Sequence, residues 1–410
     1  MKTMIALCMI TPVMMYADTL QELIESATHS NDMVISKKMV QESKLKEVES
    51  AQNSYYPTLD IGGAYQNLEE KTPNIAGDIY TGYAKVGLDL YDGGIKSSTI
   101  DVNKALLDAS KFDTSAYKKS LELAITQDFY NIKSEEGTLQ SLEEKNNQLE
   151  AELERIKEFY KVGSATTDQI DRLQAALSNN LYQIDTTKYQ ILSLKKLLSI
   201  KVGKSVETLD DSIIIAPQSV AKESSDAIKA LKANASSYEY AARGASAVYY
   251  PQLRIEDTYS FYDYGRTDIA HPEGLDKQNK LMLTLNMRLF DGFSANKQKE
   301  AKLLYKSALE AQIKQASQTQ EANIELAHSK IETTKAQIQS AKSSLESATS
   351  AYETIAQKYK VGVVDNVTYL DALTTKTNAK VQYGIALNNL QIAYATYYYY
   401  TNNTIKEYIK

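Results

Sequence analysis

A chain of 410 residues with formal net charge −6, 43% hydrophobic residues, 30 tyrosines and no tryptophan is long enough for more than one domain, and its acidic balance excludes a non-specific nucleic-acid binder. Its single cysteine, Cys8, excludes an internal disulfide framework or a cysteine metal site. Leu, Ala, Ser, Gln, Lys and Glu dominate the polar stretches, a composition of long helices.

Residues 1–17 read as a secretory signal peptide: Lys2 supplies the positive end, Met4 to Met14 is mostly apolar, and Ala17 is small enough for cleavage. That run is too short to span a bilayer as a helix. No later stretch offers a long uncharged apolar run, so a mature chain that crosses a membrane must do so with strands.

From residue 18 the elements come twice. The first repeat, 18–215, is predicted as a helix over about 19–54, strands over about 58–68 and 79–91, a long helix over 95–160 and a helix over 166–199. The second, 216–410, follows with a helix over about 218–248, strands over about 252–262 and 280–290, a long helix over 294–359 and a helix over 366–400. Tyr55-Tyr56-Pro57-Thr58-Leu59 returns as Tyr249-Tyr250-Pro251-Gln252-Leu253, an offset of 194. Leu90-Tyr91-Asp92-Gly93-Gly94 returns as Leu289-Phe290-Asp291-Gly292-Phe293, and Phe159-Tyr160-Lys161-Val162-Gly163 as Lys358-Tyr359-Lys360-Val361-Gly362, both offset by 199. Such a unit is larger than any solenoid repeat, so two halves are expected to form one intertwined domain.

The punctuation agrees. Pro57 and Pro251 disfavour helix in the residue before them and open the first strand of each repeat. Asp92-Gly93 and Asp291-Gly292 turn the second strand into the long helix. Segments 69–78 and 264–278 read as hairpin loops. Gly163 and Gly362, within Val162-Gly163-Ser164 and Val361-Gly362-Val363, follow helices and suit a left-handed position at helical hairpin tips.

The long helices carry heptad seams. Ile324, Ile331, Ile338, Leu345, Tyr352 and Tyr359 form one row, with Ala327, Thr334, Ala341, Ala348 and Ile355 beside it. Ile125, Ile132, Leu139, Leu153 and Tyr160 form its counterpart, interrupted at Asn146, beside Leu142, Leu149 and Ile156. The strands alternate: Leu281, Leu283, Leu285, Met287 and Leu289 oppose Thr284, Asn286 and Arg288, while Leu253, Ile255, Tyr259 and Phe261 oppose Arg254, Glu256, Thr258 and Ser260. One apolar face fits a soluble half-buried sheet or a membrane barrel wall equally well. The helices are committed to their seams, which favours lipid. Four strands cannot close a barrel and an open edge is not viable in lipid, so several chains must share one. Tyr397-Tyr398-Tyr399-Tyr400 lies on a helical pattern and reads as packing rather than a membrane belt.

Catalysis finds no support. His29, His271 and His328 share no metal-ligand or triad spacing, and Gly62-Gly63 lacks the context of a phosphate loop, so neither a metal nor a cofactor is expected.

Duplicated helix–strand–strand–helix–helix halves, with Tyr-Pro before the first strand, Asp-Gly after the second and Val-Gly at the tip, resemble the TolC family of outer-membrane efflux and secretion channels. The strongest stretch runs from Val361 to Ala372, followed by Asn378-Ala379-Lys380. The resemblance implies a mainly α protein with a transmembrane β part: a homotrimer whose twelve-strand β-barrel in outer-membrane lipid continues into a twelve-helix α-barrel in the periplasm. It implies a passive exit duct of a tripartite efflux pump or type I secretion system, opened by an iris-like motion. Its partners would be a periplasmic adaptor and a proton-driven or ATP-driven inner-membrane transporter. Asp371 falls on a family position that forms an acidic ring at the periplasmic constriction; Thr368 stands where a second acid is usual, and Asp365 lies nearby. Asp168 matches an acidic position of the closed entrance, but the basic partners expected near Val364 and at Leu387 are missing. Val162, Gly163, Ser164, Val361, Gly362 and Val363 fall on the tip motifs that adaptors grip. The rival reading is a periplasmic coiled-coil adaptor or tether without a barrel.

Overall fold

The computed structural model describes residues 17–70, 76–218, 223–266 and 275–410. The predicted signal peptide lies outside these residues except for Ala17, as do parts of both predicted strand loops. The chain divides into two compact units, each drawn from both repeats. One comprises the segment up to Ser36, Ser115–Ser225 and Gln318–Lys410; the other comprises Lys37–Thr114 and Asp226–Ser317.

The second unit contains the sheet. Strands β1 (Thr58–Asn67), β2 (Asp78–Tyr91), β3 (Gln252–Gly265) and β4 (Lys277–Asn286) are antiparallel in the order β1-β2-β3-β4. Cross-strand rows such as Ile61, Ala84 and Tyr259, or Leu88, Ile255 and Leu283, place the apolar residues on one face. That face is uncovered within the chain: Ile61 is 83% exposed, Leu281 70% and Leu59 69%. Polar residues interrupt it, with Asn279 in the row of Tyr259, Lys277 in that of Phe261 and Asp263 in that of Tyr80. Asp257 shares a row with Leu59, Val86 and Leu281 and is exposed among them. The opposite face is polar. There Arg254 donates to Asp89 at 2.8 Å and reaches Glu256 at 3.5 Å, and Lys96 closes on Asp89 at 2.9 Å. Strand β4 stops at Asn286, although the apolar alternation of the sequence continues to Leu289.

Both strand-to-helix turns are built by their aspartates. Asp92 accepts the backbone N–H of Gly94 at 2.9 Å and of Lys96 at 2.6 Å. Asp291 accepts the Ala295 N–H at 3.0 Å and the Tyr249 hydroxyl at 2.6 Å. These bonds satisfy donors at the first turns of helices α3 (Ile95–Lys161) and α6 (Ser294–Lys360). Gly93 and Gly292 are left-handed, at φ +75° and +68°. Pro57 and Pro251 directly precede β1 and β3.

The first unit is helical. The helix expected over 19–54 is two helices, α1 (Leu20–Ser30) and α2 (Asp32–Asn53), because Asn31 interrupts it. The Asn31 side-chain oxygen accepts the N–H groups of Met33 and Val34, starting a second helix. Helices α4 (Thr167–Val202) and α7 (Asn366–Tyr400) complete the hairpins with α3 and α6; α5 (Asp226–Ser246) belongs to the second unit. The seams are buried at Ile125, Ile132, Leu149, Ile324, Ile331 and Thr334. Asn146, the polar break, takes part in a bond network: the Asn180 amide donates to the Leu142 carbonyl at 2.9 Å and lies 3.5 Å from the Asn146 side-chain oxygen. Tyr398 is 1% exposed, stacked on Tyr408 with ring centroids 3.9 Å apart, so this part of the tyrosine run is core.

The segment joining the repeats is stitched to both flanks of the chain. Asp18 donates its N–H to the Thr208 carbonyl and accepts from Asp210. Ile213 and Lys410 exchange backbone bonds, and Ile215 donates to Tyr408. Beside them Glu122 of α3, 6% exposed, accepts the Ile405 N–H at 3.1 Å. Burial pushes its carboxyl up from 4.5 to about 7, against the pull of the Ile405 and Lys406 amides and the Lys119 and Lys406 charges.

Candidate functional site

The two helical hairpin tips lie in the first unit and end on the same device. At the first, Gly163 (φ +75°) donates to the Tyr160 carbonyl at 3.0 Å and Ser164 to Phe159 at 2.8 Å. At the second, Gly362 (φ +75°) donates to Tyr359 at 3.1 Å and Val363 to Lys358 at 2.9 Å. This is the Schellman pattern, in which crossed bonds satisfy the last carbonyls of a helix. Val162 and Val361 are both 74% exposed, so the tips present apolar side chains to solvent.

Each returning helix is capped. Thr166 precedes α4 in a capping box with Gln169. Asp168 accepts the Thr166 hydroxyl at 2.7 Å and Arg172 Nε at 3.3 Å, and these two partners hold its carboxyl below its ordinary value. Asp365 is the N-cap of α7, accepting the Thr368 N–H at 2.9 Å and hydroxyl at 2.6 Å, which lowers its carboxyl likewise. Thr368 thus serves a helix start. Asp371, one turn further, is exposed and makes no ion pair or hydrogen bond among the described residues. It stands on an exposed stripe of α7 with Thr368, Thr375, Asn378 and Gln382, and is the only acid there.

Between the tips lies an open cleft of about 770 Å³, lined among others by Phe159, Val162, Gln169, Tyr359, Val363 and Asp365. An aromatic stack begins at its lining residue Tyr359. Tyr359 and Tyr369 are parallel with centroids 4.7 Å apart, and Tyr352 follows at 6.0 Å. Cations sit at both ends: Arg155 lies 5.0 Å from the Tyr359 ring and Lys376 lies 4.4 Å from the Tyr352 ring. Arg155 is held by a fork to Glu152, at 2.7 Å from Nη2 and 3.0 Å from Nε. Burial raises the Tyr359 and Tyr369 hydroxyls. The two hairpins also meet through Asn366, whose amide donates to the Gln169 carbonyl at 3.3 Å, and through Lys380, paired with Glu144.

The structure therefore sets Val162, Ser164, Gly362, Val363 and Asp365 around one cleft, keeps Asp168 in the first turn of α4 and leaves Asp371 on the exposed stripe of α7. Pro57, Asp92, Gly93, Pro251, Asp291 and Gly292 belong to the other unit. Sequence reasoning placed Tyr352 and Tyr359 only as seam residues and missed Arg155, Tyr369 and Asn366. The signal was the change from isoleucine to tyrosine along one heptad row as the tip nears. Among the described residues no cluster of His, Cys, Asp and Glu could hold a metal ion, and no helix is long and apolar enough to cross a membrane.

Residues 218–403 match the family described as Outer membrane efflux protein. The match falls within the second repeat. No curated protein matches the sequence. Solved structures match nearly the whole of it. A membrane protein from Pseudomonas aeruginosa superposes with a TM-score of 0.81 at 14% identity, covering 93% of each chain. The outer membrane protein VceC from Vibrio cholerae gives 0.80 at 14% identity, covering 94% of this chain and 96% of that one. The CmeC outer membrane channel of Campylobacter jejuni gives 0.80 at 16% identity, covering 93% and 85%. The fold is that of these outer-membrane channels.

Proposed function

We propose that three copies of this chain form the outer-membrane exit duct of a tripartite efflux pump or type I secretion system. The observation that carries this is the sheet: four strands, two unpaired edges and one uncovered apolar face. Such a sheet is viable in a bilayer only as part of a closed ring, and three copies supply twelve strands. A periplasmic tether without a barrel would leave Leu59, Ile61 and Leu281 in water, so the geometry speaks against it. The duct is passive: an inner-membrane transporter supplies the energy, and a periplasmic adaptor joins it to the channel.

Purified in detergent, the protein is expected to run as a trimer and to conduct ions in planar bilayers. A well-folded monomer without conductance would overturn the reading.

The tips are the proposed adaptor contact. Val162 and Val363 line the cleft, Val361 is exposed at the same tip, and burying them on a partner helix gives association its driving force. A Cβ on Gly362 would meet nothing within 4 Å, so Gly362→Val changes only the backbone, by roughly 1–2 kcal/mol of left-handed strain. Trimers should survive this substitution while crosslinking to the adaptor falls severalfold. Undiminished crosslinking would remove the tip from the contact.

A further inference from the structure

The duplication has a measurable register. The first hairpin pairs Thr58 with Gly87, and the sequence offsets of 194 and 199 carry this pair onto Gln252 and Asn286, which do pair in the second hairpin. The same offsets apply to the junction between repeats. There β2 meets β3, Asp89 faces Arg254, and their side chains bond at 2.8 Å. Carried over, Asp89 becomes Arg288 and Arg254 becomes Asp60. The charges are exchanged but still opposite. Both residues are exposed, both lie on the polar face or its continuation, and neither has an ion pair among the described residues.

We propose that β4 of one copy pairs with β1 of the next in the register that sets Arg288 opposite Asp60 of the neighbouring copy. This rests on the reading that copies share one barrel. The register continues β4 past Asn286 and sets Met287 opposite Ile61 and Leu289 opposite Leu59, so the apolar residues stay on one face. A second contact follows from the same offsets. A Cβ on Gly93 would lie 2.6 Å from the Ala247 carbonyl oxygen and 2.9 Å from Tyr250 Cβ, inside a turn closed by the Tyr250 N–H on Ala247. The equivalent turn, Tyr56 N–H on the Asn53 carbonyl, exists in the first repeat, and Gly292 meets nothing within 4 Å in its own chain. Gly292 therefore seats against the Asn53–Tyr56 turn of the neighbour.

Cysteine pairs test the register in a Cys8→Ser background. Directly opposed residues in antiparallel strands lie within disulfide reach. Asp60→Cys with Arg288→Cys should give covalent trimers on a non-reducing gel, and Asp89→Cys with Arg254→Cys, as a control, an internal bond only. Crosslinks from Asp60→Cys with Lys280→Cys instead, or trimers lacking any Asp60–Arg288 crosslink, would overturn the register while leaving the shared barrel standing. A monomer in detergent would overturn both. Charge reversal gives an independent readout, since like charges opposite one another oppose pairing. Asp60→Arg and Arg288→Asp should each lower the trimer fraction about tenfold, across three junctions, and the double reversal should restore it. Failure of the double variant to recover would count against the pair.

Discussion

Above pH 7 the Glu122→Gln variant should be more stable than the parent protein; near pH 4 the two should coincide. Glu122 is buried, and its carboxyl titrates near 7 rather than 4.5 because burial penalises the charged form. The folded protein therefore holds the proton more tightly than the unfolded chain. As pH rises from about 4.5 towards 7 the unfolded chain releases it first, and stability falls across that window. A shift of this size corresponds to on the order of 3 kcal/mol, fully expressed above the folded value. The amide of Gln keeps an acceptor for the Ile405 N–H and cannot ionise. Thermal unfolding of the detergent-solubilised protein at pH 4, 6 and 8 is the measurement, with hydrogen exchange of residues 401–410 as a local report. Parallel pH profiles for the two proteins would show that Glu122 is not the titrating group.

The second large effect concerns passage of ions. Asp371→Ala should weaken block of the conducting channel by multivalent cations, by roughly 10–100-fold in concentration. Asp371 makes no ion pair or hydrogen bond among the described residues, whereas Asp365 is consumed by the α7 cap and Asp168 by Thr166 and Arg172. Three free carboxylates around an axis would attract a multivalent cation together, and their removal leaves Thr and Asn hydroxyls and amides on the same stripe. Single-channel recording with a divalent or trivalent cation on the periplasmic side reads the effect. Unchanged block would take Asp371 out of the pore.

Most of the fold could be read in the sequence because each element announces itself with its own period. Alternation marks the strands, heptads mark the long helices, and repetition at 194 and 199 ties them into halves. What escaped were local exchanges of partners. Asn31 splits a helix because its side chain offers a better bond than the backbone does, and the surrounding apolar pattern carries no trace of it. At the tips, Val-Gly signals gave the turns. The aromatic stack behind them depends on α3, α6 and α7 meeting in space, which pairwise patterns within one helix cannot express. Asp257 is a remaining exception: an acid in the row of Leu59, Val86 and Leu281, for which neither period nor register gives a reason.

The join between the repeats has a kinetic price. Ile213 and Ile215 bond to Lys410 and Tyr408, nearly two hundred residues further on. At ribosomal speeds of 5–20 residues per second, the linker waits roughly 10–40 s for the residues that complete it. Closing so long a loop is slow in any case. During that interval its backbone is an open template for a wrong strand.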